Sequence, residues 1–307
     1  MSKKASGGQR VNDGLLQAMG FVAKEGQGGL PQILIANEHA QAAMYLHGAH
    51  VTHFQPRGQK PVLWMSARSW FGADKPIRGG GPICWPWFGP HARKPGLPAH
   101  GFARLSDWRL RALTNEPDGG TSVTLALESS DRTKALWPHD FNLEYTVRVA
   151  ARLELSLRVK NTGTAAFTFE EALHTYLAVS DIRKVAVHGL SGVACLDKVR
   201  GMQRFTQGAE PLTFSGETDR VYLDTEAACE VDDPGLERLI RIEKSGSRTT
   251  VVWNPWVKKA QAMPDFGDDE WPGMLCIETA NAAANAVTLA PGAAHEIAAR
   301  IEVRGGS

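Results

Sequence analysis

Leu143-Glu-Tyr-Thr-Val-Arg-Val149 and, after a three-residue gap, Leu153-Glu-Leu-Ser-Leu-Arg-Val-Lys160 carry the decision about the fold. In the second stretch Leu153, Leu155, Leu157 and Val159 fall on one side, and Glu154, Ser156, Arg158 and Lys160 on the other. A period of two with one apolar and one polar face is the pattern of a half-buried antiparallel strand. Thr121–Glu128 repeats it, with Val123, Leu125 and Leu127 set against Thr124, Ala126 and Glu128.

The pattern extends both ways from this centre. Upstream, short apolar runs at 32–37, 43–47 and 51–55 read as a meander. Downstream, the series continues at 167–179, 184–188, 249–253, 274–280, 286–289 and 294–303. Helical signals are few. Asp131 as a cap and Pro138 as a stop frame one short helix, and residues 15–21 could form a further turn. Many strands joined by Gly/Pro turns predict an all-β protein, a large antiparallel β-sandwich with few short helices. At 307 residues the chain is twice the usual domain size, but no repeat or low-complexity linker divides it. We therefore expect a flexible arm over residues 1–20 and a single domain over 21–307, since all-β units often exceed the usual size.

Composition narrows the function classes. Lys+Arg is 34 and Asp+Glu is 33, and this balance argues against a nucleic-acid groove or a polybasic membrane surface. With 43 % hydrophobic and 22 % charged residues, the chain is not of the disordered class. No apolar run approaches the length of a membrane span. Cys84, Cys195, Cys229 and Cys276 form no C-x-x-C pair and no dense disulfide pattern. The first ten residues are charged and lead into no hydrophobic signal core. The expected setting is reducing and cytoplasmic, and the default assembly is a monomer.

Chemistry-bearing residues concentrate between residues 75 and 104. Gly and Pro keep that backbone irregular, and Trp85, Trp87 and Phe88 offer flat faces. Arg78, Arg93, Lys94 and Arg104 gather positive charge in an otherwise neutral chain. Such a loop either is structural, with its Trp residues in the core, or binds a small anion through guanidinium forks. Gly79-Gly80-Gly81 lacks the spacing and the strand–helix setting of a dinucleotide site. His174 shares a strand face with Tyr176. It reads as a satisfied core histidine or as a general acid near neutrality. Glu278 lies in a run apolar on both faces. It is either half of a buried ion pair or a base whose pKa burial raises. Asp219 reads as a turn residue entering a strand. His47, His50 and His53 are spaced by three, and strand geometry turns His50 away from the other two, so no metal site is expected there. His39, His91, His139, His188 and His295 read as surface or loop residues.

Seven short motifs then occur in order over residues 30–300. They are Ile77-Arg-Gly-Gly-Gly-Pro-Ile-Cys-Trp-Pro-Trp-Phe-Gly89, Pro98-Ala-His-Gly-Phe-Ala-Arg104, Trp137-Pro-His-Asp-Phe141, Ala172-Leu-His-Thr-Tyr176, Thr218-Asp-Arg-Val-Tyr222, Val252-Trp-Asn-Pro255 and Cys276-Ile-Glu-Thr-Ala280. In these the sequence resembles the hexose-6-phosphate mutarotases (glucose-6-phosphate 1-epimerases) of the aldose 1-epimerase superfamily. The resemblance implies a galactose mutarotase-like supersandwich and a cofactor-free, metal-free enzyme that interconverts the anomers of a sugar phosphate, most simply glucose 6-phosphate. It also implies roles: His174 as general acid, Glu278 as base, His100 and Asp219 on the sugar, Arg78 and Arg104 near the phosphate. Two positions depart from the pattern. Gly81 stands where the family often has Ile, which would loosen the wall behind Arg78, and Ala99 stands where some members have Gln. Two other readings remain open on the same residues. One is a mutarotase for free aldoses such as galactose, against which the cationic loop argues. The other is a non-catalytic sugar-binding protein, against which the His174/Glu278 pair argues.

Overall fold

The computed structural model describes residues 22–305. The expected N-terminal arm and the helical turn at 15–21 lie outside the described residues. Strand Leu153–Asn161 alternates as its sequence dictates: Leu153, Leu155, Leu157 and Val159 are buried, while Glu154, Ser156, Arg158 and Lys160 reach the surface. It sits inside an eight-stranded antiparallel sheet. In order the strands are Ala186–His188, Cys229–Asp233, Arg238–Ser245, Ala294–Gly305, Leu153–Asn161, Phe141–Val149, Thr121–Glu128 and Arg109–Asn115. A second eight-stranded sheet runs Gln203–Thr206, Ala194–Asp197, Thr218–Leu223, Thr249–Asn254, Met274–Asn281, Glu171–Leu173 and Ile83–Cys84, with Tyr176–Ala178 also paired to Met274–Asn281. The meander, with Val22–Glu25 added at its edge, forms a separate four-stranded sheet through Pro31–Ala36, Ala40–Tyr45 and His50–Pro56. One continuous apolar cluster runs from Ile33 to Ile301 and takes side chains from both large sheets. This is the all-β architecture the alternation predicts.

Three local expectations need correction. The helix Asp131–Leu136 is capped by Ser130 and not by Asp131. Ser130 Oγ accepts from Thr133 N, and Thr133 Oγ1 accepts from Ser130 N, a reciprocal capping box. Asp131 occupies the first turn, where its charge favours the helix N-terminus. A second helix, Trp256–Ala262, was not expected. It starts after Asn254-Pro255, where Asn254 Oδ1 accepts from Trp256 N, and its seven residues are too few for a helical period to show. The run 167–179 is not one strand but three, Phe167–Phe169, Glu171–Leu173 and Tyr176–Ala178. The last break falls at His174 and Thr175, whose neighbourhood bonds sideways to a loop: His174 N donates to Pro82 O and Tyr176 N to Gly80 O. Among the described residues no helix is long and apolar enough to cross a membrane.

Leu157→Ala should destabilise the protein by about 2–5 kcal/mol, because it deletes methyl groups from a filled core, whereas Arg158→Ala should stay within about 0.5 kcal/mol. Urea unfolding of the two variants measures the difference, and equal losses would contradict the assigned faces.

Candidate active site

Glu278 sits in strand Met274–Asn281, every residue of which is buried. Its neighbour strand pairs Val251 with Glu278, so the backbone is satisfied while the carboxylate is turned away from water. His174 comes from the break between Glu171–Leu173 and Tyr176–Ala178, both of which pair with the strand of Glu278. The result is direct contact: His174 Nε2 lies 3.3 Å from Glu278 Oε1. The His174 ring stacks on Tyr176 with centroids 4.8 Å apart and meets the edges of His100 and Trp253.

Burial acts on the two groups in opposite senses. It pushes the Glu278 carboxyl well above its ordinary value, and the nearby Asp219 charge adds to the rise. It pushes His174 well below its ordinary value, helped by the charges of Arg104 and Arg78. Burial therefore favours the neutral form of each group, a protonated Glu278 beside a neutral His174.

His100 has a left-handed backbone, φ 63°, which is uncommon for a residue with a side chain. Its neighbour Gly101 is also left-handed, φ 72°, and passes so close to Trp85 that a Cβ there would lie 1.9 Å from Trp85 O. Gly89 N donates to His100 Nδ1 at 3.3 Å, which leaves the Nε2 proton free for a ligand. Burial, then the Arg104 charge, pushes the His100 pKa well below its ordinary value.

Arg78 is clamped. Its Nε and Nη2 donate to Asp265 at 3.1 and 3.2 Å, and its Nη1 donates to Tyr176 OH at 3.1 Å. Burial opposes the charge, but Tyr176 and Asp265 outweigh it and the pKa rises. Behind Arg78 the glycine loop passes so close to Val51 that a Cβ on Gly80 would meet Val51 O at 2.2 Å. His50 anchors this loop by donating from Nε2 to Gly79 O at 2.7 Å, and burial pushes its pKa down to about 3.

Asp219 pairs with Lys198 at 3.0 Å, and Lys198 also lies over the Phe88 ring. Desolvation raises the Asp219 pKa despite that partner. Arg104 is different from the other cations. Its Nη2 donates to Ala99 O, its Nε is buried without a partner, and among the described residues no carboxylate lies within ion-pair distance. Burial lowers its pKa, with the Arg78 charge acting in the same direction.

All six residues singled out in the sequence, His174, Glu278, Arg78, His100, Arg104 and Asp219, line one cavity of about 310 Å³, together with Tyr176, Lys198, Trp253 and Lys259. Arg93 and Lys94 do not line it, and both are exposed. The positive charge at the cavity therefore does not come from one loop: Lys198 and Lys259 arrive from elsewhere in the chain. Gly81 does not line it either. A Cβ there would lie 4.0 Å from Leu155 and from Val51 O, an ordinary contact distance. His295 is not a free surface residue, because its Nε2 lies 3.0 Å from the fully buried Glu171. Tyr176, Lys198, Trp253, Lys259 and Asp265 are site groups that sequence reading missed. Tyr176 left a signal there, through its shared face with His174.

Comparison with known proteins fits this arrangement. The aldose 1-epimerase family model matches residues 31–302. The chain belongs to that family. A relative from Escherichia coli (strain K12), named "Putative glucose-6-phosphate 1-epimerase", is 39% identical over 255 residues, covering 82% of this chain and 84% of that protein. A plant relative of the same name, from Cenchrus ciliaris, is 38% identical over 261 residues and covers 82% and 78% of the two chains. A crystal structure from Salmonella typhimurium, described as a "putative mutarotase (YeaD)", superposes with a TM-score of 0.85 at 33% identity, over 95% of this chain and 99% of the other.

The raised Glu278 pKa has a consequence for stability. Above the ordinary value of 4.5, the folded chain must keep a proton that the unfolded chain releases. That contribution to stability is present in full below the ordinary value and is lost as pH rises toward the folded pKa. Glu278→Gln removes the loss. The variant should match the parent in Tm near pH 4 and exceed it by a few degrees at pH 8, as thermal unfolding at the two pH values will measure; a gap independent of pH would contradict the shift.

Proposed function

We propose that this chain interconverts the α and β anomers of a hexose 6-phosphate, glucose 6-phosphate foremost, with Glu278 as base and His174 as acid. The observation that carries the reading is the 3.3 Å contact between those two side chains at the wall of a cavity that also presents Arg104, a guanidinium without a carboxylate.

The chemistry follows from the shared proton. Passing it from Glu278 to His174 makes a carboxylate and an imidazolium at once. The carboxylate takes the proton of the anomeric hydroxyl as the C1–O5 bond breaks, C1 becomes an aldehyde, and the imidazolium protonates O5. Glu278 then carries the proton again and His174 is neutral, the distribution that burial favours. Rotation about C1–C2 presents the other aldehyde face, and reversal of the steps closes the other anomer. Protons and electrons balance without a cofactor. Each proton transfer of this kind contributes about 10²–10⁴-fold. His100 through its Nε2 proton, and Asp219 held by Lys198, suit sugar hydroxyls. Arg104 suits the phosphate, because a charged oxygen there supplies the partner its guanidinium lacks. The phosphate is remote from C1, so Arg104 acts mainly on binding and positioning. Arg78, clamped by Asp265, serves as a fixed wall charge.

Arg104 favours the phosphorylated sugar over a free aldose, which has no charge to offer it. A purely sugar-binding protein would leave the costly Glu278 burial unexplained. Acid, base and cations all come from one chain, in keeping with a monomer. The four cysteines are free and buried, in keeping with a reducing cytoplasm.

Exchange NMR on glucose 6-phosphate should show anomer exchange faster than in buffer, and an unchanged rate would overturn the enzymatic reading. Glu278→Gln should lower that rate by about 10²–10⁴-fold. Arg104→Ala should raise KM for glucose 6-phosphate roughly 10- to 100-fold, the worth of a charge-assisted hydrogen bond, with little effect on free glucose. Equal effects on both sugars would favour the free-aldose reading.

A further inference from the structure

Cys276 lies two residues before Glu278 on the same strand, so both side chains project from the same strand face. Tyr176 pairs with Cys276 across the sheet, which carries His174 over that face. The Cys276 sulfur, a ring nitrogen of His174 and a carboxylate oxygen of Glu278 all lie within 4.8 Å of one another, and all three residues are buried. Glu278 Oε2 is buried and has no hydrogen-bond partner. The acid/base reading makes no use of the sulfur.

We propose that His174, Cys276 and Glu278 form a three-ligand site for a thiophilic divalent cation, with Zn²⁺ as the type, and that its occupation blocks proton transfer. The ligand set is nitrogen, sulfur and oxygen, which zinc accepts with a fourth position left open, here toward the cavity. A tetrahedral ion with bonds of about 2.0–2.1 Å spaces nitrogen and oxygen ligands about 3.3 Å apart, and His174 Nε2 and Glu278 Oε1 stand at 3.3 Å. A zinc–sulfur bond of about 2.3 Å sets the sulfur about 3.6 Å from the other two donors, a closure of about 1.2 Å at most from the 4.8 Å limit. Charge is compatible as well. A thiolate, a carboxylate and a divalent ion sum to zero, so Arg104 faces a neutral occupant, while Arg78 and Lys198 keep Asp265 and Asp219. Binding expels the thiol and carboxyl protons, so it tightens as pH rises. The ion would hold both groups that the reaction uses, and inhibition would be competitive with the sugar phosphate.

The test uses the purified full chain. Titration with Co²⁺ should saturate at one ion per chain with a thiolate-to-cobalt charge-transfer band, and Zn²⁺ should displace it. Cys276→Ser and Cys276→Ala should lose the band and keep the basal anomer-exchange rate. Zn²⁺ at micromolar concentration should inhibit the parent, EDTA should restore it, and both variants should resist Zn²⁺ at least tenfold. Absence of a thiolate band in the parent, or parental Zn²⁺ sensitivity in the variants, would overturn the proposal. The cobalt readout needs no turnover, so its failure is distinguishable from failure of the glucose 6-phosphate reading on which the inhibition arm rests.

Discussion

A carboxyl group and an imidazole, both almost wholly buried at the wall of one cavity, face each other across 3.3 Å. Isolated, either charge would be costly to bury, because desolvation disfavours the ionised form of each. Together they are tolerable as neutral groups sharing a proton. The same constraint makes them reactive: moving that proton by one hydrogen-bond length turns a resting pair into an acid and a base. Water would erase this poise by solvating both charges, so the surrounding strands matter as much as the two side chains.

The strands are fixed by a second polar node behind the pair. Glu171 stands three residues before His174 and Asn281 three after Glu278, and the two are register partners. Asn281 Nδ2 donates to Glu171 Oε1 at 2.9 Å and to Gly246 O at 2.8 Å, while His295 joins Glu171 at 3.0 Å. A slip of one residue would turn every side chain of a strand to its other face. This node therefore holds His174 and Glu278 on one wall. On the other side, the glycine loop takes the backbone N–H groups of Tyr176 and His174 and delivers Arg78. Buried His50 holds that loop through Gly79.

Much of this was legible in the sequence where a pattern is local. Alternation along Leu153–Asn161 gave the sheet, and a carboxylate inside an apolar run marked Glu278. Residues whose role depends on a partner far along the chain were not legible. Lys198 reaches Asp219 from a turn that carries no signal of its own, and Asp265 lies in an acidic stretch, 187 positions from the Arg78 it clamps. His295 looked like a surface residue because Glu171, its partner, is more than a hundred positions away. Arg93 and Lys94 looked like site cations because they are near Arg104 in sequence, but the irregular loop carries them out to solvent. The short helix Trp256–Ala262 was hidden because its seven residues are too few to show a helical period.

The central claim is that His174 and Glu278 work as one proton-sharing unit. A double-mutant cycle on the anomer-exchange rate tests it most directly, with His174→Asn, Glu278→Gln and the combination measured on glucose 6-phosphate at neutral pH. Groups that act as a unit are strongly non-additive. The account predicts that the double variant is no slower than the slower single variant. Losses that multiply, each substitution removing its own factor whether or not the other is present, would contradict it.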